Sequence, residues 1–252
     1  MAIFVEYSRC YDLLYADKDY HAEVVYVAQH IRTVTGGAST ILELGCGTGK
    51  HAQHFGAEGF AVHGVDLSSE MIEIARSNQR VGLLAQTFEV GDVRSIRLGR
   101  QFDCVLSLFH VMSYQTTNED VRSTFQTAFE HTLQGGCFLF DCWYGPGVLT
   151  DPPVVRVKRV SSESLDIMRI AEPTIHSLEN VVQVDYSLRV LQKATGCEKW
   201  VMESHRMRYF FVPEIKLMLE EAGFSFCGAY KWMSEEEPGL NAWNALIVGK
   251  KL

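Results

Sequence analysis

One segment constrains the fold of this chain more than any other: residues 41–49 read ILELGCGTG. An apolar run that contains an acid, Glu43, turns into a loop with glycine at every second position, at Gly45, Gly47 and Gly49. Glycine permits a tight turn and lets a ligand approach the bare backbone. In an open α/β sheet, ligands bind beyond the carboxyl ends of the strands. The segment therefore predicts a strand, a ligand-binding loop and a helix.

Two further acids follow where the next two strands are expected to end. Asp66 closes the sequence VHGVD at residues 62–66, and Asp92 lies in EVGDV at residues 89–93. Three carboxylates at successive strand ends suit a ligand with an ammonium group, a ribose diol and an exocyclic amine. S-adenosylmethionine (SAM) has all three. Asp66 lies about 20 residues beyond the glycine loop, as expected for a group that accepts hydrogen bonds from ribose hydroxyls in NAD as well as in SAM.

The glycine loop also distinguishes between these cofactors. The usual dinucleotide fingerprint is G-x-G-x-x-G, with the pyrophosphate at a helix N-terminus. This chain has G-x-G-x-G instead, preceded by Glu43, whose carboxylate would repel a pyrophosphate. Beside the methionine ammonium of SAM the same carboxylate is favourable, directly or through water. The alternative is a strand–turn–helix whose glycines only form a turn, and the flanking acids Glu43 and Asp92 favour SAM over it.

The pattern of apolar residues predicts alternating strands and helices up to about residue 141. The predicted strands are residues 40–44, 60–65, 86–90, 103–108 and 137–141. The predicted helices are residues 20–35, a helix starting near Thr48, residues 69–78 with Ser68 as N-cap, and residues 119–133. The apolar face of the first helix comprises Val24, Val25, Val27, Ala28 and Ile31. Such β-α-β alternation implies a parallel sheet with right-handed crossovers.

The pattern changes after Trp143 and Tyr144. Residues 153–211 are rich in alternating and β-branched residues and predict three or four antiparallel strands. A helix over residues 213–222 ends at Gly223, and strands over residues 224–232 and 243–250 close the sheet as an antiparallel pair. The expected organisation is therefore a core of residues 1–145 and 213–252, with residues 146–212 inserted as an antiparallel β subdomain over the cofactor cleft.

Residues 40–93 resemble motifs I to III of the class I (Rossmann-like) SAM-dependent methyltransferases. The sequence FDCVLSLFH at residues 102–110 resembles the fourth strand of that family, and LQGGCFLFD at residues 133–141 resembles the turn into its fifth. The resemblance implies an α/β fold: a Rossmann-like sheet, mostly parallel with an antiparallel last strand, and an inserted antiparallel β subdomain. It also implies an enzyme with SAM as cofactor. Such insertions commonly build substrate sites or dimer contacts, so a homodimer through the inserted strands is among the expected partners.

A closer resemblance is to bacterial N-methyltransferases that dimethylate nucleotide-linked amino sugars in macrolide biosynthesis. It rests on YDL at residues 11–13, KDYH at 18–21, GTGKH at 47–51 and LGRQF at 98–102. It implies that Tyr11 holds the methionine end of the cofactor and that Tyr20 faces the substrate. Tyr114 falls where some members carry a catalytic histidine. The chain departs from the family at residues 141–144, which read DCWY instead of EPWW, and at residues 241–244, which read NAWN where the family has an arginine suited to a phosphate.

Composition narrows the class of protein. The chain has 252 residues, of which 47% are hydrophobic and 21% charged, and these values are typical of a globular domain. A net charge of -8 argues against a general nucleic-acid binder. Neither a membrane-spanning run nor a secretion signal is apparent in the sequence, which predicts a cytoplasmic protein without membrane partners. The seven cysteines form no C-x-x-C pair, so we interpret them as small buried residues and expect no bound metal.

The sequence finally predicts which residues form the site. Methyl transfer requires a neutral amine or a deprotonated alcohol, and His, Tyr or a carboxylate within hydrogen-bond reach can accept a proton. The predicted cofactor contacts are Tyr11, Glu43, Gly45, Cys46, Gly47, Asp66, Leu67, Met71, Asp92, Val93 and Leu108. The predicted catalytic residues are Tyr20, His110, Tyr114 and His205, and the predicted substrate contacts are Tyr20, Tyr114, Trp143 and Tyr144. Ordinary packing is the alternative for Trp143 and Tyr144, and a cross-strand contact is the alternative for His205.

The predicted function is SAM-dependent methyl transfer to a small polar acceptor, with the amine of a nucleotide-linked amino sugar as the first candidate. Two alternatives stay open at this point. One is O-methylation of a small hydroxylated metabolite, which uses the same cofactor site. The other is a SAM-binding protein without catalysis, whose cofactor motifs would look identical in the sequence.

Overall fold

The computed structural model describes residues 8–79 and 85–252. The strands are β1 Thr40–Leu44, β2 Ala61–Asp66, β3 Gln86–Val90, β4 Phe102–Ser107, β5 Thr132–Tyr144, β6 Arg156–Ser161, β7 Leu165–His176, β8 Val181–Gln192, β9 Glu198–Phe210, β10 Phe224–Lys231 and β11 Asn244–Lys251. The helices are α1 Ser8–Leu14, α2 Tyr20–Thr35, α3 Lys50–Ala57, α4 Ser69–Ser77, α5 Asn118–His131, α6 Gly145–Thr150 and α7 Val212–Glu221, with a short 3-10 helix at Val111–Tyr114.

The first part of the chain forms the predicted parallel sheet. Its strand order is β3-β2-β1-β4-β5, with parallel pairing throughout. The two closing strands add the antiparallel edge: β11 pairs with β5, and β10 pairs with β11. Because parallel strands end at the same edge of a sheet, the loops after Leu44, Asp66 and Ser107 all open at that edge.

The strands β6 to β9 form the antiparallel part of the sheet, as predicted for this region. They pair in sequence order, β6 with β7, β7 with β8 and β8 with β9. The end of β5 joins them to the parallel strands, because Trp143 and Tyr144 pair with Tyr209 and Phe210 of β9. Pairing between β4 and β5 has already stopped at Phe140, so β9 takes over the edge that β4 leaves. This arrangement carries β8 and β9 beyond the carboxyl ends of the parallel strands.

Both faces of the parallel sheet are covered, as the near-continuous apolar runs of its strands require. Alternate residues of β1 point to opposite faces: Ile41 packs with α2, α3 and α4, whereas Leu42 and Leu44 pack with α5 and α7. Glu43 follows the same alternation and lies on the face of Ile41. A charged side chain therefore lies within an apolar layer, at the end of the strand that leads into the glycine loop.

Several predicted boundaries differ from the structure. The helix predicted over residues 119–133 ends at His131, and β5 begins at Thr132, five residues before the predicted start. Gly135 adopts a φ of 80°, and the register between β4 and β5 shifts nearby, so this start of β5 is irregular. The helix after β1 begins at Lys50 rather than near Thr48. Val25, predicted on the apolar face of α2, is 42% exposed because it lies off the stripe formed by its apolar neighbours.

Local capping signals in the sequence agree well with the structure. The Ser68 hydroxyl accepts a hydrogen bond from the Met71 backbone N–H, as an N-cap of α4 should. Gly223 follows α7 with a φ of 100°, a conformation that favours glycine. Five cysteines are buried as predicted, but Cys197 and Cys227 are exposed. No helix within residues 8–79 and 85–252 is long and apolar enough to cross a membrane.

Candidate active site

A cavity of about 370 Å³ opens beyond the carboxyl ends of the parallel strands. This is the place that ligands occupy in open α/β sheets. Of the residues predicted for the site, those that line the cavity are Tyr11, Tyr20, Gly45, Cys46, Gly47, Asp66, Met71, Leu108, His110, Tyr114, Trp143 and His205. One wall therefore comes from the glycine loop and the opposite wall from the short 3-10 helix, β8 and β9.

The glycine loop has a backbone that only glycine fits at its first position. Gly45 has a φ of 82°, and a Cβ atom there would lie 2.5 Å from the Val111 side chain. The backbone N–H groups of Gly45 and Cys46 both donate to the Val65 carbonyl, at 2.7 and 3.0 Å. The loop after β4, which carries Val111, thus rests directly on the loop after β1. Gly45 and Val111 both line the cavity.

Asp66, at the end of β2, fixes the loops on either side of it. One carboxylate oxygen accepts from the Gly47 N–H and the other from the Ser68 N–H, each at 2.9 Å. Burial raises the pKa of Asp66, and these backbone hydrogen bonds oppose the rise. Each oxygen has further acceptor capacity, so the carboxylate can also take hydrogen bonds from hydroxyl groups of a ligand in the cavity.

Glu43 lies beneath the glycine loop and is only 1% exposed. Burial, together with the nearby charge of Asp66, raises its pKa to about 8. His51 of α3 approaches one carboxylate oxygen at 3.6 Å and is hydrogen-bonded on its other ring nitrogen to Glu23, at 2.9 Å. The second carboxylate oxygen, Oε2, is buried with no hydrogen-bond partner among the described residues. A cationic partner would satisfy this oxygen and stabilise the charged carboxylate.

Helix α1 is attached to the glycine loop by one carboxylate. Asp12 accepts a hydrogen bond from the Thr48 hydroxyl at 2.8 Å and lies 3.3 Å from the Lys50 ammonium. The attachment holds Tyr11 and Tyr15 over the cavity, where both side chains are part of its lining. Cys10 and Leu14 of α1 also pack with Ile167 of β7 and Leu188 of β8, so α1 connects the glycine loop to the antiparallel strands.

A phenol, an imidazole and a carboxylate form a connected chain on the wall opposite the glycine loop. The Tyr114 hydroxyl lies 2.8 Å from His205 Nδ1, and His205 Nε2 lies 3.0 Å from a carboxylate oxygen of Glu203. Tyr186 of β8 packs edge-on against the His205 ring, with 4.9 Å between ring centroids. Tyr114, Tyr186 and His205 all line the cavity. We call these three residues, with Glu203 behind them, the acceptor wall.

The loop after β4 presents a second histidine with a carboxylate. His110 Nδ1 lies 2.6 Å from Asp141, which is 1% exposed at the end of β5. Burial acts to raise the pKa of Asp141, but the charge of His110 and its hydrogen bonds outweigh burial, and the pKa is lowered overall. Phe109 and His110 both have a φ of 64°, an uncommon conformation for residues other than glycine. Such strain is concentrated at functional sites.

Comparison with known proteins identifies the domain that this geometry belongs to. Residues 41–136 match the family described as a methyltransferase domain. Over 149 residues the chain is 36% identical to the dTDP-3-amino-3,4,6-trideoxy-alpha-D-glucopyranose N,N-dimethyltransferase of Streptomyces venezuelae, covering 58% of this chain and 61% of that protein. The alignment thus spans less than two thirds of that relative.

Two further proteins match over nearly the whole length. The dTDP-4-amino-2,3,4,6-tetradeoxy-D-glucose N,N-dimethyltransferase of Saccharopolyspora spinosa is 28% identical over 247 residues, covering 97% of this chain and 92% of that protein. The crystal structure of DesVI from Streptomyces venezuelae matches with a TM-score of 0.80 at 26% identity, covering 97% of this chain and 98% of the other. Residues 41–136 of this chain therefore belong to a methyltransferase domain family.

The residues of this methyltransferase fit its cofactor, SAM. The buried Glu43 oxygen without a partner suits the methionine ammonium, and Asp66 at the end of β2 suits the ribose hydroxyls. Gly45 lines the cavity with bare backbone, and a Cβ atom there would collide with the Val111 side chain. Glu43 and Asp66 come from the ends of the adjacent strands β1 and β2, and they match two of the three polar parts expected of the ligand. The individual residue assignments stay predictions that binding measurements test.

Some residues predicted for the site of the methyltransferase do not line the cavity. They are Glu43, Leu67, Asp92, Val93 and Tyr144. Leu67 is 67% exposed, Val93 is buried in the core beside β2, and Tyr144 packs on the same core. The Asp92 carboxylate is bound by Arg94, at 2.6 Å, and this contact lowers the pKa of Asp92. A contact between Asp92 and adenine therefore competes with an existing ion pair.

Other residues line the cavity without having been predicted. They are Tyr15, Thr48, Lys50, His51, Phe109, Val111, Tyr186, Met207, Trp243 and Asn244. His51 was detectable, because it is part of the GTGKH motif and is the second residue of α3. Trp243, by contrast, directly precedes β11, which pairs with β5. This pairing brings Trp243 beside Trp143, with 5.4 Å between the ring centroids. No local signal indicates such a contact.

Proposed function

We propose that this methyltransferase transfers methyl groups from SAM to the amine of a nucleotide-linked amino sugar. The observation that carries the proposal is that one cavity joins the glycine loop to the acceptor wall. A methyl donor held on the loop faces an acceptor held on the wall. The relatives from Streptomyces venezuelae and Saccharopolyspora spinosa are named for dTDP-linked amino sugars, which supports this acceptor class.

When bound, SAM supplies a methyl group on a positively charged sulfur, which is already a strong electrophile. The chain must therefore hold both partners in line and exclude water. Asp66 and Glu43 would hold the two polar ends of the cofactor, and α1, attached through Asp12, covers the cavity. Positioning of this kind can lower the activation barrier by about 7–11 kcal/mol.

The acceptor wall suits an amine better than an alcohol. Burial raises the pKa of Tyr114 in this wall, and also that of Tyr20, which lines the same cavity, so both side chains stay neutral phenols. A neutral phenol is a poor base for an alcohol, but its oxygen can accept a hydrogen bond from an N–H group. A neutral amine needs no proton removed before it attacks. The wall can therefore orient an amine through hydrogen bonds alone.

O-methylation is the second candidate function, and the pair formed by His110 and Asp141 is the observation that favours it. A histidine held by a buried carboxylate on one ring nitrogen can take a proton with the other. An alcohol acceptor would need such a base. If His110 serves this purpose, a hydroxyl group of the acceptor must lie beside it rather than beside Tyr114.

We also propose that residues 146–212 form an inserted unit that builds the acceptor side of the site. Side chains of β8 and β9 in the cavity lining support this division, since they come from the antiparallel strands. The homodimer through these strands stays a prediction, which light scattering in solution tests.

The acceptor is tested by incubating the protein with SAM and a dTDP-linked amino sugar. We expect S-adenosylhomocysteine to form and the sugar to gain methyl groups on nitrogen, as seen by mass spectrometry. The matched control is the same nucleotide sugar with a hydroxyl in place of the amine. Methylation of the hydroxyl sugar alone would support the second candidate. Absence of turnover with either acceptor, despite tight SAM binding, would favour a SAM-binding protein without catalysis.

A further inference from the structure

The acceptor wall contains a continuous path for a proton from the cavity to a buried carboxylate. Tyr114 comes from the short 3-10 helix after β4, whereas His205 and Glu203 lie two residues apart on the same face of β9. The contacts are 2.8 Å from the Tyr114 hydroxyl to His205 Nδ1 and 3.0 Å from His205 Nε2 to Glu203. His205 is only 3% exposed, so its ring is held in place by these neighbours.

The direction of the hydrogen bonds follows from the chemistry of the three groups. An ionised carboxylate only accepts hydrogen bonds, so Glu203 requires a proton on His205 Nε2. A neutral imidazole then carries its lone pair on Nδ1, which accepts from the Tyr114 O–H. Tyr114 therefore turns its own proton towards His205. Its oxygen keeps acceptor capacity for a donor in the cavity.

The charged and titratable neighbours of the wall keep the Tyr114 phenol protonated. Tyr186 packs on His205, and the Arg169 guanidinium lies 5.0 Å from the Tyr186 ring centroid. Asp66 and Glu203, like Tyr186, act to raise the pKa of Tyr114, but burial is the largest cause. These influences keep the phenol protonated, so it can pass a proton on but does not hold a negative charge.

We propose that Tyr114, His205 and Glu203 form a proton relay that takes the proton released when the acceptor amine is methylated. The inference rests on the proposed function, because it requires an amine acceptor. Tyr114 is the group that contacts the amine, His205 is the final proton acceptor, and Glu203 is a positioning residue that sets the tautomer of His205.

The transfer balances without any further reactant. The amine nitrogen gives its lone pair to the methyl carbon, whose bond to sulfur breaks with the electron pair left on sulfur. The nitrogen becomes an ammonium. Its N–H proton passes to the Tyr114 oxygen while the Tyr114 proton passes to His205 Nδ1. The nitrogen regains its lone pair, and His205 becomes an imidazolium ion opposite Glu203.

The relay has a specific consequence for repeated methylation. A primary amine that has gained one methyl group is an ammonium ion and cannot attack again until it loses a proton. One proton taken by His205 is sufficient for a second methylation, because the tertiary ammonium formed then can leave without losing a proton. The relay therefore determines whether the sugar leaves with one methyl group or with two.

The test compares the products of His205→Ala with those of the wild-type protein on a dTDP-linked amino sugar. In the variant we expect the rate of the second methylation to fall by roughly 10²-fold or more, the usual range for a lost general base. The monomethylated sugar should accumulate. The defect should narrow as the pH rises, because solvent then removes the ammonium proton, and added imidazole should restore part of the dimethylated product.

Two further variants separate a relay from a merely structural role. Glu203→Gln should show the same shift towards monomethylated product, whereas Glu203→Asp, which keeps the charge, should retain most of the second methylation. Ser204→Ala, on the outward face of β9 between the two relay residues, is the matched control and should behave as wild type. An unchanged SAM affinity, measured by calorimetry, shows that each variant is folded.

A measurement without acceptor tests the tautomer directly. Nitrogen NMR of the labelled protein should show His205 with a proton on Nε2 and none on Nδ1, and Glu203→Gln should disturb this signal. A proton on Nδ1 would overturn the relay. So would a wild-type ratio of products in His205→Ala while the wild-type protein dimethylates. A wild-type protein that methylates no amine overturns the proposed function instead.

Discussion

The two walls of the cavity are built in different ways. The wall that we assign to the cofactor comes from one continuous stretch, residues 45–71, and its key groups are backbone atoms and the Asp66 carboxylate, with Glu43 buried beneath the glycine loop. The acceptor wall is assembled from the 3-10 helix, β8 and β9, which are far apart in the sequence. A cofactor shared by many enzymes can be held by one local motif, whereas recognition of a particular acceptor requires side chains brought together by the fold.

The largest effect is expected at Gly45. Gly45→Ala forces a side chain into a left-handed conformation, at a cost of about 1–2 kcal/mol, and against Val111, where overpacking costs about 1–3 kcal/mol more. Urea denaturation should show both losses in the free energy of unfolding. The control is Gly36→Ala. Gly36 has a φ of 75° and open space around the added Cβ atom, so this variant should lose only the free energy due to the left-handed conformation. Equal losses would mean that the close approach to Val111 does not matter.

The next effect is expected at Asp66. Asp66→Ala removes a charged acceptor for the ribose hydroxyls and should weaken SAM binding by about 1.5–3 kcal/mol, measured by calorimetry. The backbone N–H groups of Gly47 and Ser68 also lose their partner, so the loop should loosen. Asp66→Asn, which keeps one acceptor oxygen, should lose less. Unchanged affinity in a folded Asp66→Ala protein would remove this residue from the cofactor site.

Glu43 should show opposite effects on binding and on stability. Glu43→Gln exchanges a charged for a neutral hydrogen bond to the ammonium and should weaken SAM binding by about 1 kcal/mol. Without ligand, the pKa of Glu43 is raised from 4.5 to about 8, so the folded protein retains a proton that the unfolded chain has released. Stability of the wild type therefore falls as pH rises from 4.5 through about 8.

The glutamine variant should lack this fall, and its stability relative to wild type should grow across the same interval. Urea denaturation at the two ends of the interval measures the difference. Glu70→Gln, in the first turn of α4, is the control for removing a negative charge. If the free energies of unfolding of Glu43→Gln and wild type differ by the same amount at both ends of the pH interval, the raised pKa of Glu43 is contradicted.

The smallest effect is expected at Asp92. Its carboxylate is already paired with Arg94, and a partly exposed ion pair contributes about 0.2–1 kcal/mol. Asp92→Asn should weaken SAM binding within that range. Comparison with an analogue that has oxygen in place of the exocyclic amine shows whether Asp92 contacts adenine. If it does, the preference for SAM over the analogue should shrink in the variant, and an unchanged preference would argue against the contact.

The difference between the walls also explains what the sequence could predict. Strand ends, glycine turns and N-caps are local, so β1, β2 and the cap at Ser68 were predicted close to their observed positions. The pairing of Asp92 with Arg94 was missed because spacing does not show which partner a carboxylate will take. The early start of β5, at Thr132, depends on pairing with Phe102 of β4, and its late end depends on pairing with β9 and β11. Tyr114 and His205 were each predicted as candidates, but their contact with one another and with Glu203 depends on the tertiary fold.

A crystal structure with S-adenosylhomocysteine and a dTDP-linked amino sugar tests the division into two walls most directly. The ribose hydroxyls should lie on Asp66 and the amino-acid ammonium near Glu43, and the sugar nitrogen should lie within hydrogen-bond distance of the Tyr114 hydroxyl. A nucleotide sugar whose amine points away from Tyr114, or a cofactor bound away from the glycine loop, would contradict the account.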